Sequence, residues 1–281
     1  MKALTFLARR FVAGETAAEA VAVGQRLAAR GIRATFDLLG EDVKDADAAR
    51  RTAASVQELL RLIPANVDRN VSIKLTSMGL DVSRDLVTEL AGGIVRTARE
   101  LGGFVRIDME GSAHTEATLN VFRDLREEYD NVGIVLQAYM HRTERDVRDC
   151  LAHEDRVRLC KGAYKEPPQV AWSDMEQIRI SYKRFSHGLL ELGKYPAIAT
   201  HDESLIKDTI DFTRENGIDA SRFEFQMLYG LRRRRWDELV RAGYNMRVYV
   251  PYGTHWAPYF YRRLRERKEN VLFVLKGLVG G

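Results

Sequence analysis

The chain has 281 residues, 45% of them hydrophobic, and 44 Lys and Arg against 40 Asp and Glu leave a formal net charge of only +4. That length buries one large core and falls within the range of a single α/β barrel, while so small a positive excess argues against nucleic acid as a partner. Cys150 and Cys160, the two cysteines, make no disulfide framework and point to a reducing cytoplasm.

Residues 1–14 carry apolar residues and arginines without the small-residue cleavage pattern of a secretory signal. Residues 1–33 are expected to form one or two leading helices. From there short apolar runs alternate with longer amphipathic ones. Strands are predicted at 34–38, 71–75, 105–108, 133–137, 157–160, 197–199, 223–226 and 246–249. Helices are predicted at 46–62, 86–101, 115–126, 144–151, 172–192, 205–215 and 236–242, with a long last helix from about Trp256. The strands read as mostly apolar on both faces, as parallel buried strands do. Eight such units fit a closed (β/α)8 barrel over residues 34–281; an open doubly wound sheet is the alternative. No run of apolar residues approaches the roughly 20 needed to span a bilayer, so a soluble protein is expected, with peripheral membrane contact left open. The densest basic run, Arg232 to Arg235, reads as a solvated helix start before an anionic surface contact.

Sites in such barrels lie at the C-terminal ends of the strands, and polar residues recur there: Asp37, Glu41, Lys74, Asp108, Glu110, Gln137, Arg158, Lys161, Thr200, His201, Asp202, Gln226 and Tyr249. Tyr259, Arg262, Arg263 and Glu266 follow the i, i+3, i+4, i+7 spacing of one helix face. Two arginines near a helix start favour a carboxylate or phosphate; the plainer reading is a solvent-facing pair bridged to Glu266. Lys74 reads as an anion ligand, as a Schiff-base nucleophile, or as a lysine snorkelling from a strand end. Asp108 reads as orienting a base, a metal or a cofactor, or as an ion pair with a neighbour. Gly162 and Ala163, between Arg158–Lys161 and Tyr164, leave room for a ligand to approach the backbone. His201 reads first as a hydrogen-bonded core residue and second as a ligand. There is no HExxH, no CxxC and no GxGxxG after a strand, so neither a metal site nor a Rossmann cofactor site is supported. These residues alone describe a barrel enzyme with a cationic mouth for a small anionic substrate.

The segments FDLLGE (36–41), SIKL (72–75), RIDMEG (106–111), LQAY (136–139), RLCKGAYKE (158–166), ATHDE (199–203), EFQML (224–228), VYVPYG (248–253) and YFYRRLRE (259–266) resemble, in order, those of the proline dehydrogenase family. The resemblance implies non-covalent FAD at the strand C-termini and oxidation of L-proline to Δ1-pyrroline-5-carboxylate, with electrons passed to a quinone. It implies that Lys74, Arg262 and Arg263 hold the carboxylate, and that Tyr249, Tyr259 and Leu228 pack around the ring. Asp108 and Arg158 match the active-site acid and a flavin-contacting arginine. Met109, Gln137, Lys161, Gly162, Ala163, Thr200 and His201 match flavin contacts, and Gln226 and Tyr164 belong to the same pocket. Glu41 would pair with Arg262 as a lid. Family members usually carry more helical sequence before the first strand than the 33 residues here. A Schiff-base aldolase using Lys74 or Lys161 is the rival enzyme, and an anion-binding module without catalysis the rival of another class. Oligomeric state has no signature in this pattern.

Overall fold

The computed structural model describes residues 10–265, and of residues 262–265 the backbone alone. Helix α1 (Ala17–Ala28) precedes the repeating part and opens with a capping box in which Thr16 and Glu19 satisfy each other's backbone. Strands β1 (Arg33–Leu38), β2 (Asn70–Ile73), β3 (Phe104–Ile107), β4 (Val132–Gln137), β5 (Val157–Cys160), β6 (Ala197–Ala199), β7 (Glu224–Leu228) and β8 (Asn245–Tyr252) alternate with helices. The helices are α2 (Ala46–Leu62), α3 (Arg84–Glu100), α4 (Ser112–Glu128), α5 (Thr143–Ala152), α6 (Met175–Leu192), α7 (Glu203–Glu215), α8 (Arg233–Arg241) and α9 (Trp256–Arg265). Every strand pairs in parallel with its sequence neighbours, and β8 returns to β1 from Arg33↔Arg247 to Leu38↔Tyr252, closing the barrel. The expected (β/α)8 barrel is therefore the fold, and the open sheet is not.

The strands are not apolar on both faces. One set of alternate residues, including Phe36, Val71, Ile73, Val105, Ile107, Leu159, Phe225 and Val248, is buried in the large apolar core. The other set, Thr35, Asp37, Ser72, Arg106, Gln137, Arg158, Glu224, Gln226, Arg247 and Tyr249, points along the barrel axis and is joined by hydrogen bonds across it. Barrel interiors usually hold bulky branched residues; this one holds charges, with Asp37, Arg158, Glu224 and Arg247 in ion pairs and Arg106 donating to the Ile134 and Arg156 carbonyls. Strands only three to eight residues long give too little alternation for the polar set to be recognised as inward rather than terminal.

Element boundaries follow their caps. Asp45, Ser83, Asp174 and Asp202 each accept a backbone N–H from the first turn of the following helix. Helix α6 accordingly starts at Met175 rather than near residue 172. Trp172 lies in the preceding loop and donates its backbone N–H to the Tyr139 carbonyl at 2.8 Å. Strand β2 ends at Ile73 because Leu75–Met78 turns into a short 3-10 helix, closed by Gly79 in the left-handed region. In the basic run, Arg232 caps α8 from a left-handed conformation and pairs with Glu203; Arg235 pairs with Glu203 and Glu238.

A second small cluster sits at the C-terminal end of the barrel. Phe11 and Val12 pack with Leu39, Leu231, Tyr259 and Phe260. The Ala13 N–H donates to the Pro251 carbonyl at 2.9 Å, and the Gly253 N–H donates to that of Gly14 at 3.0 Å. At Gly230, φ +83, a Cβ would stand 1.8 Å from the Arg10 carbonyl oxygen, so only glycine admits this close crossing. The leading segment thus buttresses the start of α9.

Candidate active site

The main cavity, about 810 Å³, opens at the C-terminal ends of the strands. That volume lies in the range that encloses small molecules and cofactors. Strand β6 contributes only alanines on the axial side, Ala197 and Ala199, which leaves the mouth open beside β5 and β7. Across the barrel from them stand Lys74, just after β2, Asp108, just after β3, and Tyr249 of β8, while Arg158 reaches in from the adjacent β5.

Those side chains form one connected network. The Lys74 Nζ donates to Asp37 Oδ1 at 2.8 Å, to the Tyr249 hydroxyl at 3.2 Å and to Asp108 Oδ2 at 3.5 Å. The Tyr249 hydroxyl donates to Asp108 Oδ2 at 2.7 Å. Arg158 Nη1 donates to Asp108 Oδ1 at 2.8 Å, its Nη2 to Ser72 Oγ at 3.0 Å, and its Nε to Gln226 Oε1 at 2.6 Å. Gln226 and Arg247 both donate to Glu224 Oε1, at 2.5 and 2.7 Å. Each charge is therefore taken out of water with a partner, as interior charges must be. Burial alone pushes the Lys74 ammonium toward neutrality, but Asp37 and Asp108 outweigh it and hold the amine above the ordinary lysine range. Asp37 is raised, chiefly by desolvation, against the lowering effect of Lys74. Burial also raises the Tyr249 phenol, with Asp108 and Asp37 adding to the rise.

The rim is built differently. Lys161 Nζ and Arg179 Nε share Asp202 Oδ2 at 3.1 and 2.9 Å. Although burial opposes it, the bonds from Arg179, Ser204 and Lys161 hold the Asp202 carboxyl well below the usual range. Gly162 has φ +122, and a Cβ there would lie 2.3 to 2.5 Å from the Tyr139 ring. The glycine is thus demanded by Tyr139 and by its own backbone, before any ligand is considered. Glu166 reaches from the same loop to the start of α4, accepting from the Ser112 N–H at 2.7 Å and its hydroxyl at 2.5 Å. His201 Nε2 accepts the Leu228 N–H at 2.9 Å, so the neutral ring carries its proton on Nδ1 and fixes the end of β7. Gln137 donates its amide to the Glu110 carbonyl at 2.9 Å.

Fifteen of the residues expected at the site line this one cavity. Lys74, Asp108, Met109, Gln137, Arg158, Lys161, Gly162 and Ala163 stand on one side of the chain order, and Tyr164, Thr200, His201, Gln226, Leu228, Tyr249 and Tyr259 follow. Glu41 is half-buried outside the lining, close enough to Glu110 to add to the rise that burial causes in that carboxyl. The side chains of Arg262 and Arg263 lie outside the described residues, as does Glu266; the backbone of α9 carries the two arginines one turn beyond Tyr259. Among the lining residues to which the sequence assigned no role are Tyr139, Trp172 and Arg179. Asp37 had none either, although register places it beside Ser72, two residues before Lys74. Among the described residues no group of His, Cys, Asp and Glu forms a metal site, and no helix is long and apolar enough to cross a membrane.

The sequence profile of the proline dehydrogenase family matches residues 20–276. The chain belongs to the proline dehydrogenase family. It is 42% identical over 273 residues to proline dehydrogenase 1 of Bacillus subtilis subsp. natto, covering 97% of this chain and 90% of that one. It is 39% identical over 284 residues to the proline dehydrogenase of Deinococcus radiodurans, covering 98% and 91%. The bifunctional protein PutA of Escherichia coli K12 is 28% identical over 319 residues, which are 97% of this chain but 24% of PutA. Among solved structures, proline utilization A from Bdellovibrio bacteriovorus inactivated by N-propargylglycine superposes with a TM-score of 0.85 at 26% identity. The match covers 92% of this chain and 32% of that one. The resemblance read from the strand-end segments is thereby borne out, and the family is one of oxidoreductases.

Proposed function

We propose that this barrel oxidises L-proline to Δ1-pyrroline-5-carboxylate with non-covalent FAD. The observation that carries the reading is the buried Lys74–Asp108–Arg158–Tyr249 constellation at the base of an 810 Å³ cavity in a chain of this family. A flat cofactor with a pyrophosphate fits the lining: apolar Met109, Val135 and Ala199 deep in the cavity, and the cations Lys161, Arg179 and Arg232 at its rim. When bound, FAD supplies the acceptor for the hydride leaving the ring carbon next to the proline nitrogen. Arg158, Gln137, Gln226, Lys161, Gly162, Ala163, Tyr164, Met109, Thr200 and His201 are the residues that would hold it.

The chain's own work is binding and orientation. Lys74, with Arg262 and Arg263, takes the substrate carboxylate. Tyr249, Tyr259 and Leu228 give the ring an apolar seat that excludes water. Asp108 keeps Lys74, Arg158 and Tyr249 in register by accepting from all three. Arg158 brings a fixed positive charge to the side where electrons accumulate. Glu41 closes the entrance against Arg262. Electrons then leave to a quinone, from a cytoplasmic enzyme touching the inner membrane peripherally. Residues 1–33 act as the leading segment and 34–281 as the catalytic barrel. A Schiff-base mechanism is disfavoured because it needs a neutral amine, and the two carboxylates keep Lys74 charged.

Denatured protein should release about one flavin per chain into the supernatant, and anaerobic L-proline should bleach the bound flavin. Protein that stays colourless after incubation with FAD, or flavin that proline leaves oxidised, would overturn the reading. A borohydride-trapped mass increment on Lys74 would restore the aldolase.

A further inference from the structure

We propose that Glu224 is a positioning residue of the site, which fixes the polarity of the Gln226 carboxamide and thereby the placement of Arg158. Glu224 is buried below the cavity, two residues before Gln226 on the axial face of β7, and does not line the cavity.

A carboxamide has two ends of nearly equal shape and opposite hydrogen-bonding sense. Packing alone does not choose between them. Arg158 Nε can only donate, so it requires the oxygen end, which it meets at 2.6 Å. An ionised carboxylate can only accept, so Glu224 requires the nitrogen end, which it meets at 2.5 Å. Between a donor above and an acceptor below, one orientation of Gln226 satisfies both, and the reverse would set N–H against N–H at Arg158. The acceptor below is dependable because Arg247 donates to the same Glu224 oxygen at 2.7 Å. Against the burial that opposes ionisation, Arg247 holds the Glu224 carboxyl down at about 2. Arg247 is itself anchored by the Ala34 carbonyl at 2.7 Å and by Asp68 at 2.6 Å.

With Nε committed to Gln226, the planar guanidinium has a single way to present its other two edges, to Asp108 and to Ser72. Asp108 in turn receives Tyr249 and Lys74. A signal about hydrogen-bond sense therefore runs from the floor of the barrel to the cavity wall. The competing account is that Glu224 only neutralises Arg247 and stabilises the fold.

The kinetic arm of the test rests on the reading of the site as a proline oxidase. Glu224→Gln keeps the shape and removes the charge. It should lower kcat about tenfold, with KM moving less than about threefold, because the loss acts on Arg158 and not on the carboxylate ligands. In a Gln226→Met background, which has no amide to orient, Glu224→Gln should change kcat less than about twofold. Losses that multiply across the two sites would overturn the proposal and leave Glu224 a structural ion-pair partner. Should Glu224→Gln fail to fold, Glu224→Asp, which keeps the charge but withdraws the acceptor, must give the same pattern. A second arm needs no turnover. The Arg158 Nε–H resonance, assigned by its loss in Arg158→Lys, should exchange slowly in the wild type and at least about tenfold faster in Glu224→Gln or Glu224→Asp. Unchanged exchange in a folded variant would overturn the proposal even if kcat fell. If the wild type does not oxidise proline, the functional reading fails and this arm alone decides the role of Glu224.

Discussion

Removing the Lys74 ammonium is the sharpest perturbation of the charged barrel interior. In Lys74→Met, Asp108 keeps Arg158 and Tyr249 as partners, whereas Asp37 loses the one ion-pair partner, at 2.8 Å, that it has among the described residues. Leaving Asp37 ionised forfeits an attraction of about 6 kcal/mol at that distance with an effective dielectric constant of about 20. Taking up a proton is cheaper. From pH 7, about three units above the ordinary carboxylate value at about 1.4 kcal/mol each, protonation costs at most about 4 kcal/mol. Asp37, already raised by burial, therefore goes neutral in the variant. The sign follows from a folded-state pKa raised above the unfolded one. The penalty is absent below about pH 4 and grows by about 1.4 kcal/mol per unit as pH rises, until the folded pKa is reached. At about 2 °C per kcal/mol for a chain of this size, the wild type should melt up to about 8 °C above Lys74→Met at pH 7 and only about 2 to 3 °C above it at pH 5. Thermal unfolding followed by circular dichroism across that range measures the gap, and Lys74→Met/Asp37→Asn should recover most of it at pH 7. A gap of the same size at both pH values would refute the protonation argument.

Arg262→Met and Arg263→Met should each raise the KM for proline on the order of tenfold or more, the loss of one charged hydrogen bond, with little change in flavin content; unchanged KM in both removes them from the carboxylate site. Glu41→Ala should leave the melting temperature and flavin content nearly unchanged while altering turnover or KM, because a partly exposed pair contributes little to stability and acts through closure; wild-type kinetics would sink the lid. Gly162→Ala should cost several degrees in Tm and loosen the cavity wall, since the new methyl must enter the Tyr139 ring at φ +122; a wild-type melting curve contradicts that. In a Cys160→Ser background, Cys150 should resist thiol reagents at pH 8 until the protein unfolds, because burial pushes its thiol up to about 12; labelling of the native protein within minutes would refute it.

The barrel was legible because its eight apolar runs are short, evenly spaced and separated by amphipathic helices, a rhythm that survives errors of a residue or two at each boundary. Lys74 and Asp108 were legible for a related reason: each directly follows a buried parallel strand, where a charge has nowhere to go but the mouth, whereas Arg158 and Tyr249, read as terminal too, lie inside β5 and β8 and face the axis. What escaped notice depends on register across the barrel. Asp37 becomes the partner of Lys74 only when β1 is set against β2. Glu224 becomes a partner of Gln226 only when both are seen to face the axis rather than the helices. Gly162 was read as space for a ligand, whereas the space is occupied by Tyr139, a contact between the β4 and β5 loops that no local spacing announces. Trp172 was drawn into α6 by its apolar character, but Asp174 is the residue able to cap that helix.

The closure of β8 on β1 has a consequence for synthesis. Until β8 leaves the ribosome, β1 has β2 on one side and an open edge on the other. That edge offers the unpaired N–H and C=O groups through which growing chains join one another. Phe11 and Val12 wait longer, since their partners Tyr259 and Phe260 are made after β8. The nascent protein is therefore most exposed to mispairing just before its last strand appears, and the mouth of the barrel takes its working shape only when Phe11 and Val12 meet the helix that carries Arg262 and Arg263.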